Sequence, residues 1–119
     1  MNYIEFQIGG KLRGFKFGIG FLGDILKHYD VDIIGFGDLI SKNPFSVLPA
    51  ILYYGHYHDV VRKGGAIDFK LFTVEDWVEE IDNPMNDANM VSVTERCINS
   101  VIKYLPKNEN KAVEGEKKS

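Results

Sequence analysis

The chain has 119 residues, enough for one domain around one core, and its 45% hydrophobic and 13% aromatic content excludes a chain that is disordered throughout. A formal net charge of −3 at pH 7 argues against sequence-independent binding of nucleic acid, which needs clustered Lys and Arg to neutralise phosphates. The lone Cys97 excludes an intrachain disulfide, and no apolar run approaches the ~18 residues that a membrane span requires.

The first residues, Met1 to Lys11, alternate polar and apolar and lack the basic start and apolar run of a signal peptide, so a cytoplasmic location is expected. Tyr3, Ile4, Phe6 and Ile8 form one period-two run, and Leu12, Phe15 and Phe17 form a second against Lys11, Arg13 and Lys16. Gly9-Gly10 between them predicts a β-hairpin, because both turn residues can take positive φ. A lone hairpin is marginal in water, so one of its faces must pack on the helical part of the chain.

A helix is expected over Phe21 to Tyr29, with Asp24 in its first turn and Lys27 and His28 in its last, matching the helix dipole. Val31 to Phe36 fits either a short strand or a tight connection, and Phe36 to Ser41 a brief helical turn. Asn43-Pro44 predicts a helix start, with Asn as the cap and Pro in the first position. From Phe45 to Arg62 the helix is apolar on more than one face, so it is expected to be the core helix and to offer an interface. Pro49 predicts a kink or a later start, and Lys63-Gly64-Gly65 its end.

Thr73 and Asp76 have the spacing of a capping box opening a helix from Val74 to Ile81, with Trp77, Val78 and Ile81 inward. After the break at Asp82-Asn83-Pro84, a long last helix carries Met90, Val93, Cys97, Ile98, Val101, Ile102 and Leu105 on one face, with Glu95, Arg96, Asn99 and Lys103 opposite. Pro106 stops it. The expected fold is α+β and mostly α: a single globular domain over residues 1–106, made of a hairpin (1–18) and a compact bundle of four to five helices (19–106). Residues 107–119 have only Val113 as a sizeable apolar side chain and are expected to be a disordered tail.

Gly18-x-Gly20-x-x-Gly23 matches the dinucleotide fingerprint, with Asp38 at a distance suited to a ribose contact. That fingerprint requires a buried parallel strand and a βαβ continuation, whereas here half of a hairpin precedes and helices follow, so no cofactor is expected. His56 and His58 lie two apart on a helix and point to opposite sides, which does not suit a shared metal. Glu75, Asp76, Glu79, Glu80 and Asp82 around Trp77 lack an accompanying nucleophile or base; they are expected to be a solvated face, or a docking surface for a basic helix. No enzymatic activity is expected. Buried in an apolar helix face, Cys97 is expected to be inert. Tyr53, Tyr54 and Tyr57 suit either internal packing or anchoring of a protein partner.

Several of these residues recur in a familiar order: Phe15-Lys16-Phe17-Gly18 closing the hairpin, Phe21-Leu22 in the next helix, Gly35-Phe36-Gly37, then Asn43-Pro44. Ile51-Leu52-Tyr53-Tyr54-Gly55-His56 comes next, and Phe72-Thr73 leads to Trp77 and the acidic helix. Over about residues 1 to 105 the chain resembles the tail assembly chaperones of long-tailed (siphovirus-like) bacteriophages and prophages. The resemblance implies a mostly helical, non-enzymatic protein of the bacterial host cytoplasm. Such a protein binds the tape measure protein and keeps it soluble until tail tube subunits polymerise around it. It also implies a second, longer form made by frameshifting, with which the Lys117-Lys118 end is compatible. The competing expectation is a structural tail-completion or head-to-tail connector protein that stays in the virion. On the chaperone expectation, Leu48, Ile51, Leu52, Tyr54 and Tyr57, with Trp77, are the residues expected to make client contact or self-association, the tape measure protein being the expected partner and the tail tube protein a further one.

Overall fold

The computed structural model describes residues 2–106. Two antiparallel strands, β1 (Tyr3–Ile8) and β2 (Lys11–Lys16), form the only sheet among them. Five α-helices come after the hairpin: α1 (Ile19–Tyr29), α2 (Ile33–Lys42), α3 (Pro44–Arg62), α4 (Leu71–Glu79) and α5 (Ala88–Tyr104), with a single 3-10 turn at Pro84–Asn86 ahead of α5. The expected class, a hairpin with four to five helices after it, is the one observed. The expected tail, 107–119, lies outside the described residues.

Gly9 and Gly10 turn the hairpin with φ of 62° and 85°, both in the left-handed region that glycine occupies without a Cβ clash. The two-residue turn fixes the register, pairing Ile8 with Lys11, Phe6 with Arg13 and Ile4 with Phe15. Directly paired residues share a face, so Arg13 joins Phe6 and Phe15 on the inner side while Leu12 is 55% exposed. This reverses the expectation for Leu12 and Arg13. The alternation counted forward from Leu12 slips by one residue against the same count taken back from Phe15.

The helix boundaries correct several other expectations. α1 begins at Ile19, two residues earlier than expected, so Asp24 lies beyond its first turn. Residues 31–36 form no strand: Val31 and Asp32 belong to the tight connection, and the Asp32 carboxylate accepts from the Gly35 N–H at 2.8 Å and opens a continuous ten-residue α2 from Ile33 through Lys42. Asn43 alone joins α2 to α3. Its N–H bonds to the Leu39 carbonyl and its own carbonyl accepts from Ser46, while its side chain makes no cap. Pro44 holds the first position as expected, and α3 runs on through Pro49 to Arg62. Gly64, at φ 78°, lies just past its end. α4 starts at Leu71 because the Thr73 hydroxyl reaches back to the Lys70 N–H at 3.1 Å; Thr73 is thus inside the helix and does not form a box with Asp76.

Every strand and helix contributes to one cluster of buried side chains, with Phe15, Phe17, Phe21, Phe36 and Ile51 fully enclosed. α3 runs through the middle of it, packed by β2 and by all four other helices. Most of its apolar circumference is therefore covered by this chain's own elements, with Phe45 and Val61 near its two ends left exposed. At the start of α5 the Asp87 carboxylate accepts from the N–H groups of Asn89 and Met90 at 3.0 and 3.1 Å. Asp87→Ala is expected to lower stability by about 1 kcal/mol, read from the urea midpoint, and Asp87→Ser to restore most of it.

Candidate interaction surface

The structure first separates residues that hold the fold from residues that face outward. Leu48, Ile51 and Leu52 are 0–1% exposed and belong to the core, so they are not available to a partner as expected from the sequence. Trp77 is buried as well, under the hairpin turn. Tyr54 and Tyr57 are half-buried; the Tyr54 hydroxyl lies 3.1 Å from His28 Nδ1, which ties α3 to α1. The six residues expected to form one surface are thus divided between the core and a partly covered flank.

A polar knot fixes the hairpin to the helices. The Arg13 guanidinium donates from Nε to the Ile8 carbonyl and from Nη2 to the Gly9 carbonyl, both at 2.9 Å, and stacks on Trp77 at 4.0 Å from the ring centroid. His56 completes the knot: its Nδ1 is 2.9 Å from the Gly14 carbonyl and its Nε2 is 3.2 Å from Arg13 Nη1. A carbonyl can only accept and a guanidinium can only donate, so Nδ1 carries the proton and the ring is neutral. Burial pushes the His56 pKa below its ordinary value of 6.5, and the charges of Arg13 and Lys11 push the same way, against the Gly14 hydrogen bond and Asp59.

The unfolded chain therefore takes up this proton before the folded one. The contribution of neutral His56 is complete above about pH 6.5 and declines as pH falls below it. An NMR titration of the ring C–H signals is expected to place the His56 midpoint below 6.5; a midpoint at or above that value would contradict the assignment of the knot.

His58 points elsewhere, with Nε2 2.8 Å from Asp24 Oδ2 on α1. The two histidines of α3 thus serve different partners. Gly20 of the glycine-rich stretch lies under the His58 ring, where a Cβ would sit 2.7 Å from Cε1, so its role is close helix packing. The strand before it is antiparallel. Among the described residues no group of three or more His, Cys, Asp or Glu is placed to hold a metal, and no helix is long and apolar enough to cross a membrane. Cys97 is fully buried, and burial pushes its thiol up to about 12, which disfavours the reactive thiolate.

Outward-facing apolar side chains occur singly on other elements, as at Leu12, Ile19, Val61 and Phe72, and next to one another on α5. Met90, Val93, Cys97 and Val101 turn inward, whereas Ile98 and Ile102, expected on that same inner face, are 37% and 59% exposed. With Val91 and Thr94 they form a second stripe beside the first. The α2 residues Gly37 and Ile40 and the start of α3 at Pro44 provide the facing wall of a shallow apolar trough. It continues past Ile33 and Ile34 at one end and past Met85 and Val91 at the other. Phe45, next to Pro44, is 58% exposed.

The sequence signal for this trough is present in α5. Its apolar positions cover a wider arc than one core face needs, and the excess is Val91, Ile98 and Ile102. Contiguous exposure of this kind marks interaction sites more than it marks ordinary surface. Compared with protein-family models, with curated proteins and with solved structures, the chain finds no match in any of the three.

Proposed function

We propose that this chain is a phage tail assembly chaperone, a non-enzymatic protein whose trough between α2 and α5 covers an apolar stripe on the helical tape measure protein until tail tube subunits replace it. The trough carries the proposal. From Val91 to Ile102 it runs along α5 for about 16 Å, three turns, which suits a facing helix with apolar residues at i, i+3 or i+4, and i+7. Many copies along one very long client turn modest single contacts into secure coverage. The expected order of hairpin, helices and glycine-rich step, to which the resemblance belongs, is compatible with this reading.

Co-expression of the tape measure protein of the same phage with and without this chain tests it. The proposal predicts that the client stays in the supernatant only when the chain is present, that many copies co-purify with it, and that purified virions lack the chain. A client equally soluble alone, or this chain recovered as a stoichiometric part of mature particles, would overturn it in favour of a structural tail or connector protein.

A further inference from the structure

We infer that the outer edge of β1 is a second docking surface: it takes an extended segment of a partner protein as an added antiparallel strand, with a basic side chain in the cleft beside Trp77 and an acidic one beside Lys103. This surface lies on the opposite side of α5's buried face from the trough and does not depend on what the trough binds.

The hairpin register shows which backbone groups are open. A two-residue turn makes Ile8 and Lys11 a hydrogen-bonded pair, and the alternation then assigns Phe6 with Arg13 and Ile4 with Phe15. The Phe17 N–H on the Asn2 carbonyl at 2.7 Å continues the same parity. The N–H and C=O groups of Glu5 and Gln7 therefore point away from β2. No hydrogen bond among the described residues reaches them, and both residues are exposed. The other edge of the hairpin is closed: α3 packs along β2, and His56 donates to the Gly14 carbonyl there. An open edge with unpaired backbone groups is a template for another strand.

Charge specifies the occupant. At the hairpin tip the edge faces a cleft formed by Gln7, Gly9 and Trp77 with the carboxylates Glu80 and Asp87. At the other end Asn2 faces a cleft with Asn99, Ser100, Arg96 and Lys103. The lining of the first cleft carries two carboxylates and that of the second two cations, while Arg13 of the knot lies against the same indole. From Asn2 to Ile8 the edge is about 20 Å long, the span of some seven extended residues. A strand antiparallel to β1 starts at the tip, so its first residue is the cation and its last the anion. The partner is thus a protein segment of about that length with Lys or Arg at its start and Asp or Glu at its end.

The probe is the peptide Arg-Thr-Val-Thr-Val-Thr-Glu with both ends blocked, added at millimolar concentration to the isotopically labelled full chain. The Glu5 and Gln7 amide signals are expected to move downfield, and a peptide with Arg and Glu exchanged is expected to bind about tenfold more weakly. Gln7→Pro removes an outward N–H and no hairpin bond, so the hairpin signals persist while binding is lost. Glu80→Lys leaves the edge intact and is expected to lower the affinity about tenfold. Unmoved Glu5 and Gln7 amides, equal binding of both peptides, shifts confined to the trough, or binding unchanged in both variants would each overturn the assignment. Movement of the same amides with protein concentration alone, in the absence of peptide, would give the edge to a second copy of this chain and overturn it too.

Discussion

Arg13→Ala is expected to lower the stability of the folded chain by about 3 kcal/mol, a fall of roughly 10 °C in melting temperature for a domain of this size. The buried guanidinium holds the Ile8 and Gly9 carbonyls, donates toward His56 and lies against Trp77, so truncation leaves three acceptors short of a donor and opens space on the indole. Arg13→Lys separates the charge from the planar fork. An ammonium retains the charge but cannot reach these acceptors as a planar fork, and most of the loss is expected to remain. Urea unfolding of the two variants measures both effects. A loss below about 1 kcal/mol for Arg13→Ala would show that the knot is peripheral to stability.

The second large effect concerns binding. Ile98→Asp combined with Ile102→Asp is expected to weaken client association at least about a hundredfold, because each isoleucine buried against a partner contributes on the order of 1.5–3 kcal/mol and each introduced carboxylate would be desolvated. Stability should change little, since both side chains already stand largely or partly in solvent. Ile51→Ala provides the contrast. Ile51 is fully enclosed, so its truncation is expected to cost about 2–5 kcal/mol of folding stability, and any loss of binding would be a consequence of unfolding. Melting curves measured beside affinity separate the two cases.

Elements with a strong local cause are legible in the sequence. Gly9-Gly10 dictates the hairpin, Pro44 the start of α3, and the inward stripe of Met90, Val93, Cys97 and Val101 the length of α5. Sequence and structure part where tertiary contacts choose between local options. Glycines at 35 and 37 argue against a helix, but the Asp32 cap and the burial of Phe36 and Ile40 on one side make α2 continuous. Thr73 fits either end of a capping box, and its contact with Lys70 decides for the inside position.

The candidate site is less legible for a physical reason. Apolar composition marks α3 as unusual without showing whether other chains or its own neighbours cover it. The five elements packed around it answer that question only in three dimensions. Conversely, Ile98 and Ile102 have the spacing of core residues, and their exposure depends on where α2 stops covering α5. A charged side chain in a strand usually faces outward, which is the expectation for Arg13; its four partners make the inward position stable.

A photo-crosslinking amino acid placed singly at positions 34, 98 and 102, and for comparison at 75 and 79 on α4, locates the client most directly. In complexes with the tape measure protein, the trough account predicts covalent adducts to the client from positions 34, 98 and 102 and none from the acidic helix. Adducts from 75 and 79 with none from the trough would contradict it, and would transfer the docking role to the acidic face of α4.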